Sequence, residues 1–190
     1  LIGLNGSNRA HNFNFASGNM HNITTSRGAG TDTHTETLNG NCTITGNLTV
    51  GANSIFDTGS DRNLTVAGDC DVTGTLTLND STVVVGALQA NSGAAITQGS
   101  SGTLEITTGS NFGGASNYSL KNDDGTSDIN LGGTLTISGG TYFHSKTAPD
   151  GSSVINNLVW NGGSYWVGNI TIGGTLVVNA SKNMSPYGGS

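Results

Sequence analysis

G-N-C-T-I-T-G-N-L-T-V, from Gly40 to Val50, is the stretch whose reading decides the fold. Cys42, Ile44, Leu48 and Val50 alternate with Thr and Asn, and Gly46 sits at the centre. The phrase returns as D-C-D-V-T-G-T-L-T-L (Asp69 to Leu78), D-I-N-L-G-G-T-L-T-I (Asp128 to Ile137) and N-I-T-I-G-G-T-L-V-V (Asn169 to Val178). A degraded copy, Q-G-S-S-G-T-L-E-I, ends at Ile106. Period-two alternation marks β-strands with one buried face.

Aligned on the central glycine, the copies fall at Gly46, Gly74, Gly102, Gly133 and Gly174, at intervals of 28, 28, 31 and 41 residues. Two residues on stand Leu48, Leu76, Leu104, Leu135 and Leu176. The apolar set includes the glycine by parity, so the backbone can bend there with no side chain to collide. Two geometries satisfy the pattern. In one, the phrase is two short strands joined at a corner of a β-solenoid, with the leucines of successive rungs stacked. In the other, Thr45-Gly46-Asn47 is a three-residue hairpin loop that pairs Ile44 with Leu48. The solenoid is preferred, because a hairpin accounts for one phrase and not for its recurrence at a rung-like interval.

The fold class expected is therefore all-β: a repetitive solenoid over residues 39–190, preceded by an extended polar arm over residues 1–38. Loop insertions are expected at about 107–128 and 138–168, the second with enough apolar residues for an extra strand or rung. The chain begins at Leu1 and not Met, which fits processing or a fragment of something longer.

Composition agrees. Of the 190 residues, 33% are hydrophobic, 31 are Gly and only 9% are charged, which suits many short strands and frequent turns. Two prolines and no G-x-y period exclude collagen. Six Lys and Arg against a net charge of -6 leave no basic patch for nucleic acid. No apolar run is long enough to span a membrane.

No catalytic constellation is visible. Three of the four His (His11, His21, His34) lie in the expected arm, and His144 stands alone in an insertion. Asp123 and Asp124 precede Gly125 but lack the ligand spacing and closing Glu of a calcium loop. Cys42 and Cys70 share a slot in the first two copies. A disulfide between stacked rungs is one reading, and two buried thiols is the preferred one. No cofactor, metal or catalytic residue is assigned. Aromatics concentrate late, and Tyr142, Trp160, Tyr165 and Trp166 are candidate ligand or interface residues; capping of the last rung is the competing role. Asn47, Thr75, Thr103, Thr134 and Thr175 are expected to form one outward ladder, and Thr49, Thr77 and Thr136 most of another, with Glu105 interrupting. Flat Thr arrays resemble ice-binding proteins, but strand propensity and solubility explain this one better. The N-x-T triplets at Asn41, Asn47, Asn63 and Asn169 follow from the repeat and carry no glycosylation signal of their own.

The phrases T-I-T-G-N-L-T-V, V-T-G-T-L-T-L and L-G-G-T-L-T-I resemble the G-N-L-T-V-type repeats of bacteriophage virion surface proteins: tail fibres, spikes and capsid decoration proteins. Similar phrases occur in secreted bacterial adhesins and autotransporter passengers. The resemblance covers roughly residues 40–178 and rests on composition and period. It implies a fibrous, non-enzymatic assembly, often a homotrimer, on the virion surface. The arm would dock on other virion proteins, and a host surface glycan is a candidate ligand. The alternative it implies is a secreted or cell-surface carbohydrate-binding adhesin.

Overall fold

The alternating strands stack into a parallel β-solenoid. The structure is a computed structural model describing residues 9–13, 19–26, 32–112, 116–122, 127–140, 142–145, 154–162, 165–168, 171–179 and 185–186. The strands at 9–13, 142–145, 165–168 and 185–186 are described for their backbone alone.

In chain order the strands are β1 (Arg9–Phe13), β2 (Asn19–Met20), β3 (Ile23–Thr25), β4 (His34–Leu38), β5 (Cys42–Ile44), β6 (Leu48–Val50), β7 (Ser54–Asp57), β8 (Asn63–Val72), β9 (Thr75–Thr77) and β10 (Thr82–Ala90). They continue as β11 (Ala95–Gln98), β12 (Thr103–Ile106), β13 (Tyr118–Asn122), β14 (Asp128–Ile137), β15 (Tyr142–Ser145), β16 (Val154–Trp160), β17 (Tyr165–Gly168), β18 (Thr171–Ile172), β19 (Leu176–Val178) and β20 (Ser185–Pro186). Every pairing between them is parallel, which a hairpin cannot produce.

The stack has three sides. Side A holds β1, β4, β7, β9, β11, the first half of β14, the start of β16, and β18. Side B holds β2, β5, the first halves of β8 and β10, β12, the ends of β14 and β16, and β19. Side C holds β3, β6, the second halves of β8 and β10, β13, β15, β17 and β20. The long strands β8, β10, β14 and β16 each run across a corner and serve two sides.

Register decides the core. On side B, Ile44, Val66, Val85, Ile106, Ile137, Trp160 and Val178 form one inward column. On side C, Leu48, Cys70, Leu88 and Leu120 form another, and on side A Phe56, Leu76, Ile96 and Ile129 a third. Except for the terminal Val178, all of these are buried. Each such side chain removed from water contributes roughly 1.5–3 kcal/mol before conformational entropy is counted.

One expectation needs correction. The leucines of the first three copies, Leu48, Leu76 and Leu104, do not stack on one another. A turn consumes 22 residues from Ile44 to Val66, 19 from Val66 to Val85 and 21 from Val85 to Ile106. The 28-residue interval is therefore a full turn plus one further side. Leu48 lies on side C, Leu76 on side A and Leu104 on side B, so the phrase walks round the solenoid. Only Leu104, Leu135, Leu158 and Leu176 form a true leucine column.

The expected domain limits shift as well. β2, β3 and β4 lie within residues 1–38 and already pair with β5, β6 and β7 of the next turn. The extra strand or rung expected within 138–168 is present as β15, β16 and β17, and Ile155, Leu158 and Trp160 of β16 are buried. Within 107–128, β13 lies in side C, so among the described residues this stretch is not one continuous loop.

Candidate functional site

The corners explain the glycines and asparagines of the phrase. Gly46 sits at the corner between sides B and C, next to Gly68 and Gly86 of the following turns. The Gly68 N–H donates to the Gly46 carbonyl at 2.9 Å. A Cβ on Gly68 would lie 2.9 Å from that same oxygen, and one on Gly86 2.6 Å from the Gly68 carbonyl. These glycines permit backbone-to-backbone approach between turns, which is a different reason from an inward-pointing position. Gly74 takes the C-to-A corner, where a Cβ would strike the Gly51 and Ser54 carbonyls, and Gly102, Gly133 and Gly174 take the A-to-B corner.

Asparagine carboxamides staple one turn to the next. Asn22 Oδ1 accepts from the Asn47 N–H at 2.8 Å, and Asn47 Oδ1 accepts from the Asp69 N–H at 3.0 Å. The same bond links Asn41 to Asn63, Asn130 to Val154 and Asn157 to Thr175. Corner N–H groups escape the strand ladder, so a side-chain oxygen one turn away satisfies them. Asn41 and Asn47 of the N-x-T triplets thus have structural roles at corners. Sequence reading missed this, although Asn41, Asn47 and Asn130 lie inside the repeat phrase itself.

The cysteines are on different sides: Cys42 pairs with Leu64 on side B and Cys70 with Leu48 on side C. Both are free and buried, as the preferred reading expected. Burial raises both thiol pKa values, and for Cys70 the nearby Asp71 and Asp69 charges raise it further. Both shifts disfavour the reactive thiolate.

The Thr ladders divide in the same way as the leucines. Thr82, Thr103, Thr134, Asn157 and Thr175 share an outward column on side B, whereas Thr75 lies on side A and Asn47 at a corner. Glu105 stands between Val84 and Thr136 in the adjoining column and accepts from the Ser138 hydroxyl at 2.7 Å.

The most featured surface lies on side C around the extruded segment. Ser110 and Tyr118 form an antiparallel bridge that closes the excursion. The Ser110 hydroxyl donates to Asp69 Oδ2 at 2.7 Å, tying the segment to β8. Lys121 Nζ donates to the Phe112 carbonyl at 3.1 Å and lies 5.5 Å from the centre of the Tyr118 ring. Phe112 itself takes a left-handed φ of 36°. Beside Lys121 in register stand Gln89 and then Asp71, which accepts from Asn91 Nδ2.

Register also places the late aromatics. Tyr118, Tyr142 and Tyr165 form one row across β13, β15 and β17, and Leu120, Phe143 and Trp166 the next. The side chains of Tyr142, Tyr165 and Trp166 lie outside the described residues. Trp160 is corrected: it is fully buried in the side B column between Ile137 and Val178, so it is core and faces no external ligand. Among the repeat leucines, Leu48, Leu76, Leu104 and Leu135 are buried and Leu176 is 45% exposed on the last turn.

Among the described residues no three His, Cys, Asp or Glu side chains cluster as a metal site. Among them, too, no helix is long and apolar enough to cross a membrane. No family model, curated protein or solved structure matches the chain.

Proposed function

We propose that the chain is a non-enzymatic structural protein of a bacteriophage virion surface, serving as fibre, spike or capsid decoration. The observation that carries the reading is the in-register parallel stack itself. Its interior is filled by aliphatic columns, its turns are tied by backbone and Asn bonds, and its long sides leave no free strand edge. Such a body suits a stiff spacer exposed to solvent. The repeat phrases resemble virion surface proteins, and that resemblance supports a homotrimer on the virion and docking through the N-terminal residues. Since β1 to β4 belong to the stack, a truncation that probes docking has to stop before Arg9.

Two measurements test this. Light scattering on the purified chain should give a stable oligomer, with a trimer expected. Gold-labelled antibody against it should decorate intact phage particles. A monomer whose antibody labels no particle would overturn the reading.

A second reading, a secreted or cell-surface carbohydrate-binding adhesin, is favoured by one observation, the aromatic rows on side C. Rings there suit stacking on sugar faces. Binding on a glycan array that disappears in Tyr142→Ala and Tyr165→Ala, the row beside Tyr118, would select this reading.

A further inference from the structure

The interior changes character at its N-terminal end. On side A the column that runs Ile129, Ile96, Leu76 and Phe56 continues into Glu36, where an apolar residue would complete it. Glu36 is 4% exposed, and its Oε1 lies 3.0 Å from His34 Nε2. Its Oε2 is buried with no hydrogen-bond partner. Ser54, opposite His34 in register, and Thr25, the last residue of β3, are also buried, and their hydroxyl oxygens likewise have no partner. Polar groups in this state cost stability wherever they carry an uncompensated charge.

Among the described residues, the groups around Glu36 come from β4, β7, β1, β5 and β6. On β4 itself there is His34. On β7 the register partners are Phe56 and Ser54, and Asp57 is bonded to Asn79 and Gly59. On β1 the positions opposite Glu36 and His34 are His11 and Arg9. β5 and β6 of the same turn bury Cys42, Ile44, Leu48 and Val50. Asp32 lies two residues before His34.

We propose that the His34–Glu36 pair is a pH-dependent latch on the N-terminal turns of the solenoid, closed while the pair carries a proton and loosened when that proton leaves. With one proton the pair is net neutral and its hydrogen bond is satisfied. Without it, a carboxylate sits in an apolar column with one oxygen unpartnered, and local opening to water relieves that cost. Burial holds the Glu36 carboxyl above its ordinary range, and His34 lowers it part of the way back. The sign follows. A carboxyl whose folded pKa is raised binds its proton more tightly in the closed state. Its stabilisation is complete below the unfolded value and is lost as pH rises through the folded one. A well-packed apolar pair would close the end more firmly at every pH, so the ionisable pair makes closure conditional.

Hydrogen exchange of the full chain across pH 5 to 8, corrected for intrinsic rates, tests the latch. Protection over residues 34–38 and 54–57 should fall as pH rises, about tenfold for each unit by which the folded pKa exceeds the unfolded one. Residues 103–106 and 134–137, remote from the pair, should stay flat and serve as internal reference. In Glu36→Gln the N-terminal protection should be high and independent of pH. A flat wild-type profile, an equal slope in the reference strands, or an unchanged slope in Glu36→Gln would each overturn the proposal. Should Glu36→Gln not fold, Glu36→Leu carries the same expectation, and the comparison of segments within the wild type decides by itself.

Discussion

Leu76 and Thr75 are neighbours with opposite fates. Leu76 is 1% exposed in the side A column, and Thr75 faces outward between Ile55 and Ala95. Leu76→Asp places a charge with no partner among Phe56 and Ile96, and should cost more than about 4 kcal/mol, enough to unfold the central turns. Thr75→Asp should change stability by less than about 1 kcal/mol. Urea denaturation followed by circular dichroism separates them, and equal tolerance of both would mean that these positions do not stack. The corner glycines are a second case at this scale. Gly86→Ala puts a methyl group 2.6 Å from the Gly68 carbonyl and 2.7 Å from that of Ala67. Both obstacles are backbone, so the turns must part, at a cost of about 1–3 kcal/mol. A thermal midpoint equal to that of the wild type would show that the corner has slack.

At the scale of the element, the segment between β12 and β13 is tied to the body, among the described residues, by the Ser110–Asp69 and Phe112–Lys121 bonds. Thr107 and Thr108 still donate to Val85 and Gly86 of the preceding turn, so the corner proper is complete before the excursion begins. Deleting residues 109–117 should leave the solenoid folded, with a change of roughly 1 kcal/mol or less from loop closure. It should remove the Ser110–Asp69 and Lys121–Phe112 bonds. Circular dichroism and a thermal melt check the first expectation, and collapse of the whole chain on deletion would show that the segment is structural.

The elements also show what was legible in the sequence. Alternation was legible because the inward columns demand apolar residues and solvent accepts Thr. The corners were legible as glycine because a Cβ at Gly46, Gly68 or Gly86 collides with the preceding turn. The length of a turn was not. The best-preserved phrase marks a corner followed by a strand, and the solenoid has three such corners per turn. Matching Gly46 to Gly74 therefore compared different sides and set Cys42 beside Cys70, which the register separates. The 138–168 segment was legible only in part, for a related reason. Its strand β16 is regular, but V-I-N-N-L-V-W lacks the corner glycine, and Asn156 and Asn157 cross that corner in its place, bonding to Gly132 and Thr175. The surface on side C was only partly visible, because its Tyr row comes from residues far apart in sequence and has a bulge between Tyr118 and Leu120.

On the scale of the whole molecule, each turn touches only its neighbours, so stability is close to a sum of turns and interfaces. The ends differ from the middle. Leu104 is buried between Val83 and Leu135, whereas Leu176 follows Leu158 in the same column and no described strand covers it. Leu176, Val177 and Val178 are the exposed large hydrophobic residues among those described. Leu104→Ala should therefore cost about 2–5 kcal/mol, the range for a buried leucine whose cavity cannot close. Leu176→Ala should cost less, about 1 kcal/mol, because nearly half of its surface stays in water and no described strand closes a cavity over it. The two variants also differ in cooperativity. Loss at Leu104 weakens the interfaces on both sides of a central turn and should broaden the urea transition or split it in two. Loss at Leu176 weakens one terminal interface and should leave the main transition sharp. Urea melts read by circular dichroism, with hydrogen exchange over residues 103–106 and 134–137, measure both effects. Equal costs at Leu104 and Leu176 would mean that the last turn is covered as fully as the middle, by another chain or by further sequence.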